Sequence, residues 1–344
     1  MSTRVTAHAP GRVNLIGDHT DYCGGLALPC AIDLGITIDG VVDERIELRS
    51  SIDDGVVSLG RPVDADGVPV DLPADLPVWG RYVAAVAALL PAARGLSGRI
   101  ESDLPAGAGL SSSAALEIVV ALALGFDGAP MDLALLGQRA EHLATGTPTG
   151  LLDQLAITHA VSGHASCIDF TTLAVEQVAV PADLDIVVVH SGQERTVASS
   201  AYAERVESCA RAAALLGPLP EAAVGDIDAL DDPVLRRRAR HVRSETARVR
   251  AAVDALRAED IDTLGAIMIE SHASLRDDFE VSTPVLDGLV ERLVAVDGVR
   301  GARLTGAGFG GCVVAVGEKG AISDANVFTG RGWIVRPSGA AGSM

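Results

Sequence analysis

Short apolar runs alternate with polar, glycine-bearing loops along most of the first half of the chain. Val5 and Ala7, then Pro10-Gly11, then Val13, Leu15 and Ile16 predict a strand, a turn and a strand over residues 3–16. The polar loop Gly17-Asp18-His19-Thr20-Asp21-Tyr22-Cys23-Gly24-Gly25 follows, and Leu26 to Ile38 resumes a strand-like pattern. Residues 41–73 read as β-hairpins, with Asp53-Asp54-Gly55 and Asp64-Ala65-Asp66-Gly67 as turns. Trp79 to Leu90 has helical spacing. So does the apolar run Ala114 to Leu124, which three serines precede as potential caps. Asp132 reads as the cap of a further helix. Leu133, Leu136, Ala140 and Leu143 line one face of it, Gln138 and Glu141 fall off that face, and Gly146 and Pro148 end it.

The second half begins with the buried-strand pattern Ile186-Val187-Val188-Val189. Helical patterns follow over Ala198 to Leu216, Val234 to Arg257, Ile261 to Leu275 and Pro284 to Val294. The half closes on Ala302 to Val316, two strand-like stretches around a glycine turn. Pro181 ahead of the Ile186 strand places the expected boundary near residues 175–185, dividing the chain into 1–180 and 181–344.

Composition narrows the functions available. With 48% hydrophobic and 21% charged residues, the 344-residue chain reads as an ordinary globular protein. A formal net charge of −19 argues against nucleic-acid and anionic-membrane partners, so Arg236-Arg237-Arg238 reads as a solvated helix face. The five cysteines form no C-x-x-C pair, and Met1 to Val13 has no signal-peptide core. No apolar run is long enough for a membrane span, and a cytoplasmic protein is expected. Lys319 is the only lysine and sits in a turn-like Gly317-Glu318-Lys319-Gly320. That excludes a P-loop, which needs a lysine directly after its glycines, and argues against a pyridoxal enzyme.

Four features carry candidate chemistry. Leu104-Pro105-Ala106-Gly107-Ala108-Gly109-Leu110-Ser111-Ser112-Ser113 is either a plain helix cap or a phosphate cradle, because a helix N-terminus offers free N–H groups and partial positive charge. Asp18-His19-Thr20-Asp21, wedged between apolar runs, is either a surface turn or a binding loop. Asp153 is a single acid in an apolar segment, and must be hydrogen-bonded structurally or used in catalysis. Trp79 is a core anchor or a stacking surface. Gly306, Gly308 and Gly311 satisfy G-x-G-x-x-G, but they lead into a strand, so a turn approaching a ligand fits better than a dinucleotide site.

Taken together, Pro10-Gly11-Arg12-Val13-Asn14-Leu15-Ile16-Gly17-Asp18-His19-Thr20-Asp21-Tyr22, the stretch Leu104 to Ala115, and Thr305 to Gly311 resemble the GHMP kinase superfamily, and the first motif resembles its galactokinase family. The resemblance implies an α+β, two-lobed fold: an N-terminal lobe of mixed sheet and helices and a ferredoxin-like C-terminal lobe, with ATP and sugar meeting between them. It implies an ATP-dependent sugar 1-kinase, most simply for galactose, with N-acetylgalactosamine or arabinose as alternative acceptors, or a non-catalytic galactose and ATP sensor. Such sensors lose serines that are intact here. By resemblance, Asp153 and Arg12 are catalytic, and Asp18, His19, Thr20, Asp21 and Tyr202 bind the sugar. Gly107, Ala108, Gly109, Leu110, Ser111, Ser112 and Ser113 hold the ATP phosphates, Trp79 lies near the adenine, and Ser113 and Glu141 bind Mg²⁺. A monomer acting on small molecules is expected. The sequence departs from the galactokinase pattern at Asp18, where glutamate is usual, at Cys23, where asparagine is usual, and at Glu194, where a basic residue is common; the N-terminal extension ahead of the first strand is also missing.

Overall fold

The computed structural model describes all residues except 1–2, 52–54, 61–71, 74, 91–92, 106–107, 148, 194–197 and 344. The strands in chain order are β1 (Arg4–Asn14), β2 (Leu26–Ala27), β3 (Pro29–Asp43), β4 (Ile46–Ser50), β5 (Val56–Leu59), β6 (Gly95–Ser102), β7 (His164–Asp169), β8 (Ala174–Ala179), β9 (Leu184–His190), β10 (Val299–Thr305), β11 (Cys312–Glu318), β12 (Gly332–Val335) and β13 (Gly342–Ser343). The helices are α1 (Val78–Leu89), α2 (Ser112–Ala123), α3 (Pro130–Thr145), α4 (Leu152–Thr158), α5 (Ala198–Leu216), α6 (Val224–Asp228), α7 (Pro233–Arg257), α8 (Ile261–Asp277) and α9 (Pro284–Val294).

A six-stranded sheet of order β13-β1-β3-β6-β4-β5 forms the first lobe with α1 to α4, beside the three-stranded sheet β2-β7-β8. The turn predicted at Pro10-Gly11 is absent. β1 runs straight through, and only its register against β3 shifts between Pro10 and Arg12. Glycine is needed there because a Cβ at Gly11 would lie 2.5 Å from the Leu104 side chain and 2.7 Å from the Leu110 carbonyl oxygen, so the strand and the glycine–serine loop touch. Of the predicted hairpins, β4 pairs with β5. Asp53, Asp54 and the turn at 64–67 lie outside the described residues. The helix read as starting at Asp132 starts at Pro130, with Ala129 at its N-cap, because proline is preset for the first turn.

The second lobe is built on an antiparallel sheet of order β10-β11-β9-β12, the ferredoxin-like order. Its central strands explain the continuous apolar runs. Ile186 and Val188 of β9 face the core of the first lobe, and Val187 and Val189 face the second core. β11 divides likewise, with Cys312, Val314 and Val316 on one side and Val313 and Ala315 on the other. The glycine turn lies between β10 and β11, as the pattern predicted. Residues 336–343 then return to the first lobe: Ile32 bridges Pro337, Ala341 N–H donates to Ile157, and β13 pairs with β1 through Ala7–Ser343 and His8–Gly342.

Of the three arginines expected on a solvated face, Arg238 is buried, while Arg236 and Arg237 stay partly exposed. Arg236 donates to the Leu230 carbonyl, Arg237 pairs with Glu280, and buried Arg238 pairs with Glu280 and donates to the Asp278 carbonyl.

Candidate active site

β1 delivers Arg12 to the edge of the first lobe, and the first turn of α4 delivers Asp153. Arg12 Nε donates to Asp153 Oδ1 at 2.7 Å, its Nη2 lies 2.5 Å from the same oxygen, and its Nη1 donates to the Gly109 carbonyl at 2.9 Å. The lone acid of an apolar segment therefore has a permanent cation against it. The same arginine ties that cation to the glycine–serine loop, and its N–H donates to the Leu110 carbonyl.

Ser111 occupies the N-cap position of α2 but makes no side-chain cap. Its φ is 61°, left-handed and rare for a non-glycine residue, and its hydroxyl donates to Asp153 Oδ2 at 2.5 Å. The expected cap is thus replaced by a bond to the candidate catalytic acid. Gly109, with φ 74°, allows the preceding turn; Gly107 lies outside the described residues. Ala108 is buried, and its carbonyl accepts from the Cys312 thiol of the second lobe. Ser112 begins the helix.

Ser113 Oγ donates to Glu141 Oε1 at 3.3 Å, across from α2 to α3. Thr149 Oγ1 and Gln154 Nε2 donate to Glu141 Oε2 at 2.7 and 3.0 Å. A hydroxyl and a carboxylate brought together are hard oxygen donors of the kind Mg²⁺ takes, with phosphate oxygens and water completing its shell. Gln154 also donates to Glu117, a fully buried acid in α2. Burial first and the charge of Glu141 second push Glu117 well above the usual carboxylate range.

The loop after β1 divides into two groups. Asp21 points toward Asp153 and Gly150. Burial, with the charge of Asp153 next, raises its carboxyl from 3.8 to about 7. His19 stacks on Phe279 with ring centroids 4.6 Å apart, and its Nδ1 lies 2.9 Å from the Tyr22 hydroxyl. Burial holds its imidazole near 3, hence neutral. Tyr202 of α5 packs edge-on to Tyr22 at 5.7 Å, and burial lifts its phenol above the ordinary range. These three residues meet. Thr20 and Asp18 turn away. Thr20 Oγ1 bonds the carbonyls of Gly17 and Leu26 and so holds the loop. Asp18 Oδ2 accepts from Arg303 Nη2 at 2.6 Å and its Oδ1 from the Gly306 N–H at 3.1 Å. Both of these side chains, expected in the sugar clamp, are thus bonded to protein groups, Thr20 within the first lobe and Asp18 across to the second. Trp79, in the first turn of α1, packs half-buried on the first core, with its indole N–H unpartnered among the described residues.

Arg303, Gly150 and Glu117 were not singled out from the sequence. A charge flanked by Ala302 and Leu304 is the same signal that exposed Asp153, and it would have found Arg303.

Residues 81–160 match the GHMP kinases N terminal domain and residues 252–325 the GHMP kinases C terminal domain, so fold and site define a kinase of the GHMP class. Residues 2–39 match the galactokinase galactose-binding signature. Galactokinase from Lactococcus lactis, in a crystal structure complexed with galactose, is 31% identical to this chain with a TM-score of 0.88, over 98% of this chain and 94% of that one. The chain belongs to the galactokinase family and is a sugar kinase, transferring phosphate to an alcohol group. Mevalonate kinase from L. major, in complex with R-mevalonate (21% identity, TM-score 0.69, 98% of each chain), shares the fold. So does a D-glycero-D-manno-heptose 1-phosphate kinase from Bacteriodes thetaiotaomicron (16%, TM-score 0.61, 99% of this chain and 98% of that one).

Proposed function

We propose that this enzyme is a galactokinase, moving the γ-phosphoryl group of ATP to the C1 hydroxyl of D-galactose. The observation that carries this reading is the Asp153 carboxylate, held by Arg12 and Ser111 between the glycine–serine loop and Asp21. In the reaction the sugar O1 bonds to the γ-phosphorus, the bridge to the β-phosphate breaks, and the O1 proton leaves. Such a transition state is loose, so placement and charge neutralisation do most of the work. Asp153 orients the acceptor hydroxyl and stands where its proton departs. Arg12 places a fixed positive charge beside both partners. Asp21, His19 and Tyr202 line the acceptor side.

The loop from residue 107 to 113 and the start of α2 would receive the phosphates, and Trp79, whose indole N–H has no partner among the described residues, the adenine. Ser113 and Glu141 would hold Mg²⁺, which supplies charge neutralisation on the phosphate oxygens. We read the protein as a cytoplasmic monomer with no nucleic-acid or membrane partner. No disulfide joins its cysteines, and no helix among the described residues is long and apolar enough to cross a membrane.

Asp153→Asn tests the reading. Turnover is expected to vanish while calorimetric binding of galactose survives; appreciable residual turnover overturns the assignment. ATP consumption over a panel of aldoses that includes N-acetylgalactosamine and arabinose, with the phosphate position read by NMR, establishes the acceptor.

A further inference from the structure

After Asn14 the sugar loop is held from both sides: the first lobe bonds it through Leu28, Leu26 and Phe170, and the second lobe supplies the buried charges around its first half. Arg303, at the end of β10, has no solvent exposure. Its Nη1 donates to the carbonyls of Asn14 and Leu15 at 3.3 and 3.2 Å, and its Nη2 to Asp18 Oδ2 at 2.6 Å. Two residues further on, Thr305 Oγ1 donates to the Asn14 carbonyl at 2.9 Å, and the Gly306 N–H takes Asp18 Oδ1. Helix α7 adds Glu245, whose Oε1 accepts from the Gly17 N–H at 3.0 Å and from Ser271 of α8 at 2.6 Å. His241 of the same helix lies 3.1 Å from the Asp18 carbonyl oxygen.

These bonds make Asp18 an unsuitable hydroxyl clamp. Both carboxylate oxygens are engaged, and the residue is 5% exposed. A buried carboxylate against a buried guanidinium is a strongly directional pair, and removing one partner strands the other. By contrast, Arg12 and Asp153 are fixed wholly by β1, α4 and the loop at 109–111 of the first lobe. The reacting pair is therefore referenced to the first lobe alone and the sugar loop to both, and the Asp18–Arg303 contact spans the seam.

We propose that Asp18 and Arg303 are a positioning pair that seats the sugar loop against the second lobe, so that Asp18 acts on the sugar through the placement of His19 and Asp21 and not by touching a hydroxyl. The inference rests on the sugar-kinase reading above. It makes Arg303 a determinant of sugar affinity although it reaches no substrate. It also assigns the shorter acid at 18 to a fit between lobes: a glutamate there would push its carboxylate into Arg303 and the Gly306 turn.

The test uses Asp18→Asn, which keeps the side-chain volume and removes the charge, together with Arg303→Lys and the double variant. Folding is checked by thermal unfolding without sugar. Rates are measured with galactose and ATP, and binding with the 2-, 3-, 4- and 6-deoxygalactoses. Asp18→Asn is expected to raise the galactose KM by about tenfold or more, with the ATP KM unchanged and kcat little altered. The penalty is expected to be the same factor for every deoxy sugar, and the double variant to be no worse than the poorer single one. If Asp18→Asn does not fold, Arg303→Lys carries the same expectations. A penalty that disappears for one deoxy sugar means that Asp18 touches that hydroxyl, and it overturns the proposal. So do additive effects of the two substitutions, and so does an unchanged galactose KM in a folded variant. If the unaltered enzyme phosphorylates no aldose at all, the function reading falls first and this inference with it.

Discussion

The Ser111 hydroxyl is bonded to Asp153 Oδ2 at 2.5 Å, from a backbone conformation that non-glycine residues rarely take. The serine forgoes a helix cap, worth about 1 kcal/mol, to make that bond. Backbone strain of this kind collects at functional sites. Ser111 thus orients the second oxygen of Asp153 while Arg12 holds the first. Ser111→Ala is expected to lower kcat by about ten- to a hundredfold, the value of one hydrogen bond to a charged group, and to leave the galactose KM in place. Steady-state kinetics with both substrates check this. A change confined to the ATP KM would return Ser111 to a purely phosphate-binding role.

Gly150 lies against Asp21. A Cβ at that position would sit 1.7 Å from Asp21 Oδ2, which no rearrangement smaller than moving the carboxylate relieves. Gly150→Ala is expected to cut kcat/KM for the sugar by roughly a hundredfold, as displacements of about an ångström do, while nucleotide binding persists. Calorimetry with each ligand separates the two effects.

The raised Asp21 carboxyl carries a signed prediction. Its folded-state value, about 7, exceeds the ordinary 3.8, so between these values the folded protein keeps a proton that the unfolded chain has released. This group's contribution to stability is complete below 3.8 and is lost as pH rises to about 7. The total is on the order of 3 kcal/mol once partial contact with solvent is allowed for. Asp21→Asn removes that loss, so the variant is expected to be more stable than the parent at about pH 8 and no more stable at about pH 4. Sugar affinity is expected to rise through pH 7 in the parent, as the carboxylate forms and accepts hydroxyl protons, and to stay low and flat in the variant. Thermal unfolding and sugar titrations across that range provide the readout.

Local patterns made much of this architecture legible. The apolar runs of β9 and β11 are continuous because each strand faces a core on both sides, and that is visible residue by residue. Asp153 stands out in the sequence by residue type, and Arg12, Ser113 and Glu141 by the family resemblance; the fold places Arg12 against Asp153 and Ser113 against Glu141. Pairings between distant residues were not legible. Asp18 finds Arg303 across 285 positions, and no period or propensity encodes which buried charge meets which. Ser111 looked like a cap because capping is a local rule, and a tertiary acceptor outcompeted it. Pro10-Gly11 looked like a turn for the same reason; the glycine serves the close approach of Leu104 and Leu110 instead.

The pairing of β13 with β1 has a consequence for biosynthesis. Ala7 and His8 meet Gly342 and Ser343, so one edge of the first sheet waits for residues made after every other described element. A growing chain carries that strand edge bare until residues 342 and 343 are made, and an unpaired edge is an invitation to pair with a neighbour. Nascent copies on one messenger are therefore exposed to mutual strand exchange until residues 342 and 343 emerge, and removing those two residues would prolong the hazard indefinitely.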